Sequence, residues 1–229
     1  MLVTNTEKKG EKMNKSQTET FYKGFIGSGL SNTDKMPSKS FNLSALHCVT
    51  GSKLVNVPGS TCFGCYALKG NYRRYKHIDK MKPKTAKIFS KKWVEAMTWL
   101  IINQDNKKDR EFFRWHDSGD IQNMEHLIKI VQVCKNTPDV SHWLPTREYK
   151  IVKNYLKTFG DFPENLTVRI SAHMLDSNPP KIGNLPTSTV NKTKKAIGLE
   201  CGSYKNEGKC LECRLCWDKN VKNISYKYH

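Results

Sequence analysis

From residue 36 onward the apolar positions of the chain switch between two periods. In SFNLSALHC, Phe41, Leu43 and Ala45 alternate with polar neighbours, which predicts a strand running to Cys48. In KTAKIFSKKWVEAMTWLIINQ, Phe89, Trp93, Met97, Leu100 and Ile101 recur at helical spacing. REFFRWHD predicts a second strand with Asp117 at its end. DIQNMEHLIKIVQVCKN then predicts a helix with Asp120 as N-cap and Met124, Leu127, Ile128, Val131 and Cys134 on one face. SHWLPT is a third strand, stopped near Pro145. REYKIVKNYLKTFG is a helix with Val152, Tyr155, Leu156 and Phe159 inward and Gly160 just past its end. NLTVRISA alternates Leu166, Val168 and Ile170 against Thr167, Arg169 and Ser171, and TSTVN offers one more short strand.

Strands alternating with helices of this length predict an α/β fold of repeated βα units with parallel pairing, forming a partial barrel or an open parallel sheet. A full eight-stranded barrel needs a longer chain than these 229 residues. Residues 1–35 lack apolar periodicity before FYKGFIGSGL and read as a flexible basic tail, with Phe21, Tyr22, Phe25 and Ile26 positioned to dock on the body. Residues 36–195 read as the βα domain with a cysteine loop. Residues 196–229 read as a cysteine-rich, metal-binding segment packed on the same domain.

Parallel α/β folds carry their chemistry at the carboxyl ends of their strands. The expected strand ends deliver His47 and Cys48, then His116, Asp117, Ser118 and Asp120, then Thr146, Arg147 and Glu148, then Ser171 and His173. Arg114 and His116 share a face in strict alternation, as do Arg169 and Ser171. Polar residues on such a face need partners, because an unpaired buried charge is costly. His116, Asp117, Asp120, Arg147, Glu148 and Arg169 are the candidate lining of a substrate cavity. Ordinary capping by Asp120 and Thr146 is the simpler alternative for those two.

Charge and cysteines change the picture further. There are 39 Lys and Arg against 21 Asp and Glu, a net charge of +18, which favours a polyanionic partner such as nucleic acid. Only seven of the basic residues are Arg, and the lysines are spread along the chain, so the charge marks no one site. No apolar run reaches the length of a membrane span, and the N-terminus lacks the apolar core of a secretory signal. The expected setting is a reducing cytoplasm with no membrane partner, and there eight cysteines argue for metal rather than disulfides.

Cys201, Cys210, Cys213 and Cys216 are spaced C-x8-C-x2-C-x2-C. Two-residue gaps let three thiolates on a short loop reach corners of a [4Fe-4S] cube. Zinc is the alternative, though structural zinc more often takes two separated knuckles. Cys48, Cys62 and Cys65 form a second group, C-x13-C-x2-C, one ligand short. His47, another residue or a bound small molecule would complete it, and an open position is what a catalytic metal site keeps. The two groups hold either separate centres or one interleaved arrangement. Phe63 and Tyr66 are placed to shield the first group, and NYRRYKH forms a basic, aromatic flank suited to stacking on bases. Cys134, alone on an apolar helix face, reads as core.

CFGCYALKGNYR, FRWHDSGDI, WLPTRE, VRIS and CLECRLCW together resemble the phage gene-product-eighty-eight family, over about residues 40 to 217. That resemblance implies a viral gene expressed in a bacterial cytoplasm. A cysteine loop after the first strand of a βα series is also distantly similar to the radical S-adenosylmethionine enzymes. In those, three cysteines hold a four-iron cluster with one iron open to S-adenosylmethionine. The first gap here is 13 residues where that family has three, and HDSGD stands where a Gly-Gly-Glu-like segment is expected. The functional expectation is an iron–sulfur protein with one or two [4Fe-4S] centres and redox or radical-type chemistry at the strand-end cavity. The competing expectation is a metal-stabilised protein that binds nucleic acid or a host protein.

Overall fold

The computed structural model describes residues 7–8, 11–69, 76, 79, 81–105 and 108–228, with the backbone alone for 7, 8, 11 and 12. Two two-residue strands, β1 (Glu7–Lys8) and β2 (Glu11–Lys12), pair antiparallel. The body is one seven-stranded sheet: β3 (Ser38–Phe41), β4 (Asp109–Trp115), β5 (Ser141–Thr146), β6 (Leu166–Ser171), β7 (Thr187–Asn191), β8 (Leu199–Glu200) and β9 (Asn223–Lys227). Its order is β3-β4-β5-β6-β7-β9-β8, and every pair is parallel. β3 and β8 are free ends of that order, so the sheet is open and the partial-barrel alternative falls away.

Strands β3 to β7 advance in one direction, and right-handed crossovers then place all their helices on one face. Helices Trp93–Ile102, Met124–Asn136 and Tyr149–Phe159 occupy the crossovers. They bury Trp93, Met97, Ile101, Leu127, Ile130 and Val152 against Phe41, Phe113, Trp115, Leu144, Val168 and Ile170 in one continuous core. The opposite face shows Phe112, Trp143 and the odd residues of β6. Trp143 packs there with Met36 and Trp217, and Phe112, Cys210 and Cys216 join them. This second face is covered by the C-terminal segment.

Several elements depart from the periodicity. Residues 15–26, expected within a flexible tail, form a helix closed by an Asn14–Gln17 capping box and by Gly27 at φ 85°. Its Tyr22 and Ile26 are fully buried and Tyr22 donates to Glu95, because an amphipathic turn gains more from the core than its sparse pattern suggests. The first strand ends at Phe41, not Cys48. The run 84–104 breaks into Lys82–Lys87 and Trp93–Ile102, leaving Phe89 exposed. Asn123 caps the helix Met124–Asn136 by accepting from the His126 amide, which releases Asp120 for another task. On that helix Cys134 is buried and Ile128 faces out. The closing strand β9, which lies between β7 and β8, alternates Ile224 and Tyr226 with polar neighbours over only five residues, too short a run to stand out in sequence.

Candidate functional site

The sheet's carboxyl edge is built by loops that lock onto one another. β4 ends at Trp115, and the loop 117–120 turns back onto the end of β3. Leu43 donates its amide to Ser118 O, and Ser118 Oγ donates to Leu43 O. Gly119 permits the approach: it sits at φ 83°, and a Cβ there would stand 2.6 Å from Leu43 Cβ. Asp117 accepts from Ser40 Oγ at 3.0 Å, and the buried Lys84 donates to the adjacent Asn42. Burial pulls Lys84 down to about 8, opposed by the charge of Asp117.

Asp120 ties the ends of β4 and β5 together. It accepts from the Ile121 amide at 2.8 Å, Thr146 Oγ1 at 2.6 Å and the Arg147 amide at 2.9 Å. Burial raises its pKa to about 6, and the bonds from Thr146 and Arg147 limit the rise. Glu148 reaches across to the turn after Cys48, accepting from the amide and the hydroxyl of Thr50, each at 2.8 Å. Arg147 Nε donates to Thr61 Oγ1 at 3.0 Å, and the Arg147 carbonyl lies 3.0 Å from His173 Nε2. His173 in turn stacks on Tyr149 with ring centroids 4.0 Å apart. Tyr66 donates its hydroxyl to the Asp117 carbonyl.

These contacts seat the loop bearing Cys48, Cys62 and Cys65 over the ends of β4, β5 and β6. Burial raises the Cys48 thiol well above its ordinary value, and Asp120, Cys65 and Cys62 add to the rise while Arg147 opposes it. Cys62 is raised by burial too, again opposed by Arg147. Gathered thiols of this kind ionise readily only beside a cation. Gly51 permits the close approach of Cys48: a Cβ there would stand 2.8 Å from Cys48 Cβ, with Cys48 Sγ and Cys62 Sγ at 3.5 Å and 3.9 Å. Phe63 and Tyr66, the residues expected to shield this set, are themselves 50% and 61% exposed. Most of the NYRRYKH flank (71–75 and 77) lies outside the described residues.

The second set lies on the helix-free face. Cys201 follows β8 and donates its amide to Ser225 O of β9. Cys210 donates its amide to Lys35 O, and Cys213 donates to Cys210 O. Cys216 Sγ lies 3.4 Å from the Tyr226 hydroxyl. Burial pushes Cys216 up to about 11 and raises Cys210, with Cys201 adding to both. Beneath this segment Arg169, fully buried, donates to four carbonyls: Thr187, Val221, Leu215 and Asp218. Thr167 donates to the Trp217 carbonyl. A hollow of about 200 Å³ beside Cys201 is lined by Lys35, Tyr204 and Tyr226.

The fold therefore gathers Asp117, Asp120, Arg147 and Glu148 at one rim, with Cys48, Cys62 and Cys65. It does not bring His116 or Arg169 there. His116 takes φ 56°, which ends the alternation and turns its ring into the helix-side core, 5.2 Å from His126. Arg169 anchors the C-terminal cover. The cysteines fall into a group of three and a group of four at separate places, rather than interleaving, and all eight are free thiols. Among the described residues no three His, Cys, Asp or Glu side chains are arranged around a single ion. A cluster spreads its ligands over several metal atoms, so its thiolates stand farther apart than those of one zinc ion. Cys48, Cys62 and Cys65, and separately Cys201, Cys210, Cys213 and Cys216, are the thiols that could hold such a group. The rim contacts of Thr50, Thr61 and Tyr149 escaped sequence reasoning, as did the bond from Tyr66 to Asp117, because each is an ordinary residue whose partner lies tens of positions away.

Among the described residues no helix is long and apolar enough to cross a membrane. A family model described as Gene product 88 matches residues 1–219. No curated protein matches, and no solved structure matches. The resemblance to radical S-adenosylmethionine enzymes finds no support in these comparisons.

Proposed function

The chain belongs to the Gene product 88 family, and from that premise we propose that it is an iron–sulfur protein with two separate centres. Cys48, Cys62 and Cys65 hold one centre at the strand-end rim and leave one position for a ligand other than cysteine. Cys201, Cys210, Cys213 and Cys216 hold a fully ligated centre on the helix-free face. One observation carries this reading: folding sorts seven free cysteines into a three and a four, each set with thiols whose ionisation burial opposes. A cation that binds thiolates meets that cost, and in a reducing host cytoplasm disulfides do not.

When bound, such clusters supply electron transfer or an electrophilic iron at an open position. The chain's own residues supply the setting. Arg147 places a positive charge beside the rim thiols. Asp120, with its raised pKa, keeps a proton-exchanging carboxyl behind them. Glu148 and Thr61 hold the cysteine loop against the strand ends. The rim centre is the candidate for redox chemistry, and the face centre is structural or an electron relay.

Anaerobic purification followed by iron and sulfide analysis and a visible spectrum tests this. About eight irons per chain, with matching sulfide and broad absorption near 400 nm, is the expected result for two four-iron centres. A colourless protein with stoichiometric zinc and no sulfide overturns it. The competing reading, a metal-stabilised binder of nucleic acid or of a host protein, rests on the net charge of +18. Steeply salt-dependent nucleic-acid binding by a zinc-loaded protein would favour it.

A further inference from the structure

We propose that the strand-end rim binds a small oxyanion, a carboxylate or a phosphate, on the guanidinium of Arg147, with Lys69 of the cysteine loop as a second cation. The inference uses the same rim as the iron–sulfur reading but needs no cluster. It rests on an imbalance between the rim's anions and its cations.

The carboxylates there are spent inward. Asp120 accepts three hydrogen bonds from the ends of β4 and β5, and Glu148 commits both oxygens to Thr50. The cations are not spent. Arg147 is fixed at three points: its amide on Asp120, its carbonyl on His173 and its Nε on Thr61. Thr61 is itself held, donating to Ala172 O at 2.9 Å. Among the described residues the two terminal nitrogens of Arg147 have no hydrogen-bond partner, and no carboxylate pairs with it. Lys69 folds back over Gly64, between Cys62 and Cys65, with Nζ 3.1 Å from where a Cβ would stand. It too has no ion pair among the described residues.

A guanidinium held by its Nε and backbone, with its terminal fork free, is preorganised for a two-oxygen partner. Little side-chain freedom is lost on binding, because Thr61, Asp120 and His173 already hold Arg147 in place. The rim is open to such a ligand, since both Arg147 and the three cysteines are partly exposed. Lys69 would add a second, more mobile charge. The thiols of Cys48 and Cys62 lie within the electrostatic reach of Arg147, so the anion would sit beside the rim centre.

Calorimetric titration of the anaerobically isolated protein at low salt, with inorganic phosphate and separately with malonate, tests this. One-site binding that weakens with salt is expected, and the tighter probe identifies which oxyanion class the rim takes. Arg147→Gln should weaken binding about tenfold or more, Arg147→Lys less, and Lys157→Gln on a distant helix not at all. Should Arg147→Gln fail to fold, Lys69→Gln takes its place, with about a threefold loss expected. Absence of binding by either probe overturns the proposal. So does equal binding by wild type and Arg147→Gln, or an equal loss in Lys157→Gln. If wild type binds neither probe and Arg147→Gln sheds iron, the guanidinium serves as counter-charge to the cluster, and the proposal fails while the iron–sulfur reading stands. Wild-type protein that binds phosphate but holds no iron sinks that reading and leaves this one intact.

Discussion

The two faces of the one sheet are built from alternate residues of the same strands, yet they are covered by opposite means. On the helix side, Phe113, Trp115, Leu144, Val168 and Ile170 meet three amphipathic helices, and the packing is apolar. Even the histidines there, His116, His126 and His142, are buried among aromatic rings. On the other side Arg114, Trp143, Thr167 and Arg169 meet a loop-rich segment whose apolar contribution is little more than Trp217. Hydrogen bonds from Arg169 and Thr167 to backbone carbonyls take over the work that apolar area does opposite. A segment with so little core needs another fastening, and the four cysteines lie within it. The contrast teaches that the C-terminal cover depends on polar contacts, with the proposed cysteine centre as its further fastening, whereas the helix side depends on burial.

Acid should break the helix side first, with the largest effect. Burial lowers His116 and His142 to about 3, and His126 well below its ordinary value. A histidine with a folded pKa below its unfolded value near 6.5 binds fewer protons when folded. Its stabilisation is full above that value and is lost as pH falls toward 3. Each of the two should remove about 1.4 kcal/mol per pH unit in that window, read by urea unfolding at pH 7, 6 and 5. Flat stability over that range would show that the histidines are not dry. Next, Arg169→Met should cost about 3–5 kcal/mol and loosen the C-terminal segment, because four carbonyls lose a charged donor that is itself buried. Hydrogen exchange should show the loss on residues 201–222 while the helix side stays protected. Uniform loss would erase the contrast between the faces.

The cysteine sets sharpen it further. Cys213→Ser and Cys62→Ser should each remove about half the iron, but only Cys213→Ser should lower stability, by about 2 kcal/mol. Equal destabilisation would mean that the rim centre is also a fastening. The smallest effect is expected from Tyr226→Phe. Its hydroxyl lies 3.4 Å from Cys216 Sγ, and a hydrogen bond to a ligand thiolate favours the reduced cluster. Loss of that bond should lower the potential of the proposed face centre by on the order of tens of millivolts, with under about 1 kcal/mol in stability. An unchanged potential would place Tyr226 outside the centre's influence.

Much of the fold was legible. The alternation in FFRW and LTVRIS marked β4 and β6, and helical spacing marked Met124–Asn136 and Tyr149–Phe159, because burying one face imposes its period on the sequence. Asp117, Asp120, Arg147 and Glu148 were found at the rim because parallel strands all end on one edge. His116 escaped because a single left-handed residue reverses a face without altering the pattern. Arg169 was read as cavity lining because alternation assigns a face but does not say what covers it. Helix 15–26 and strand β9 were missed because short elements with few apolar positions draw their stability from what they dock against.

By itself, then, the sequence determined an α/β chain of parallel βα units, the residues at the strand ends and the division of cysteines by spacing. Those are local consequences of side-chain period and chain reach. Only the tertiary structure decided that the sheet stays open, that β9 enters between β7 and β8, and that the two cysteine sets lie on different surfaces. Those outcomes depend on contacts between residues far apart in the chain, such as Arg169 with Val221 and Glu148 with Thr50, which no local pattern encodes.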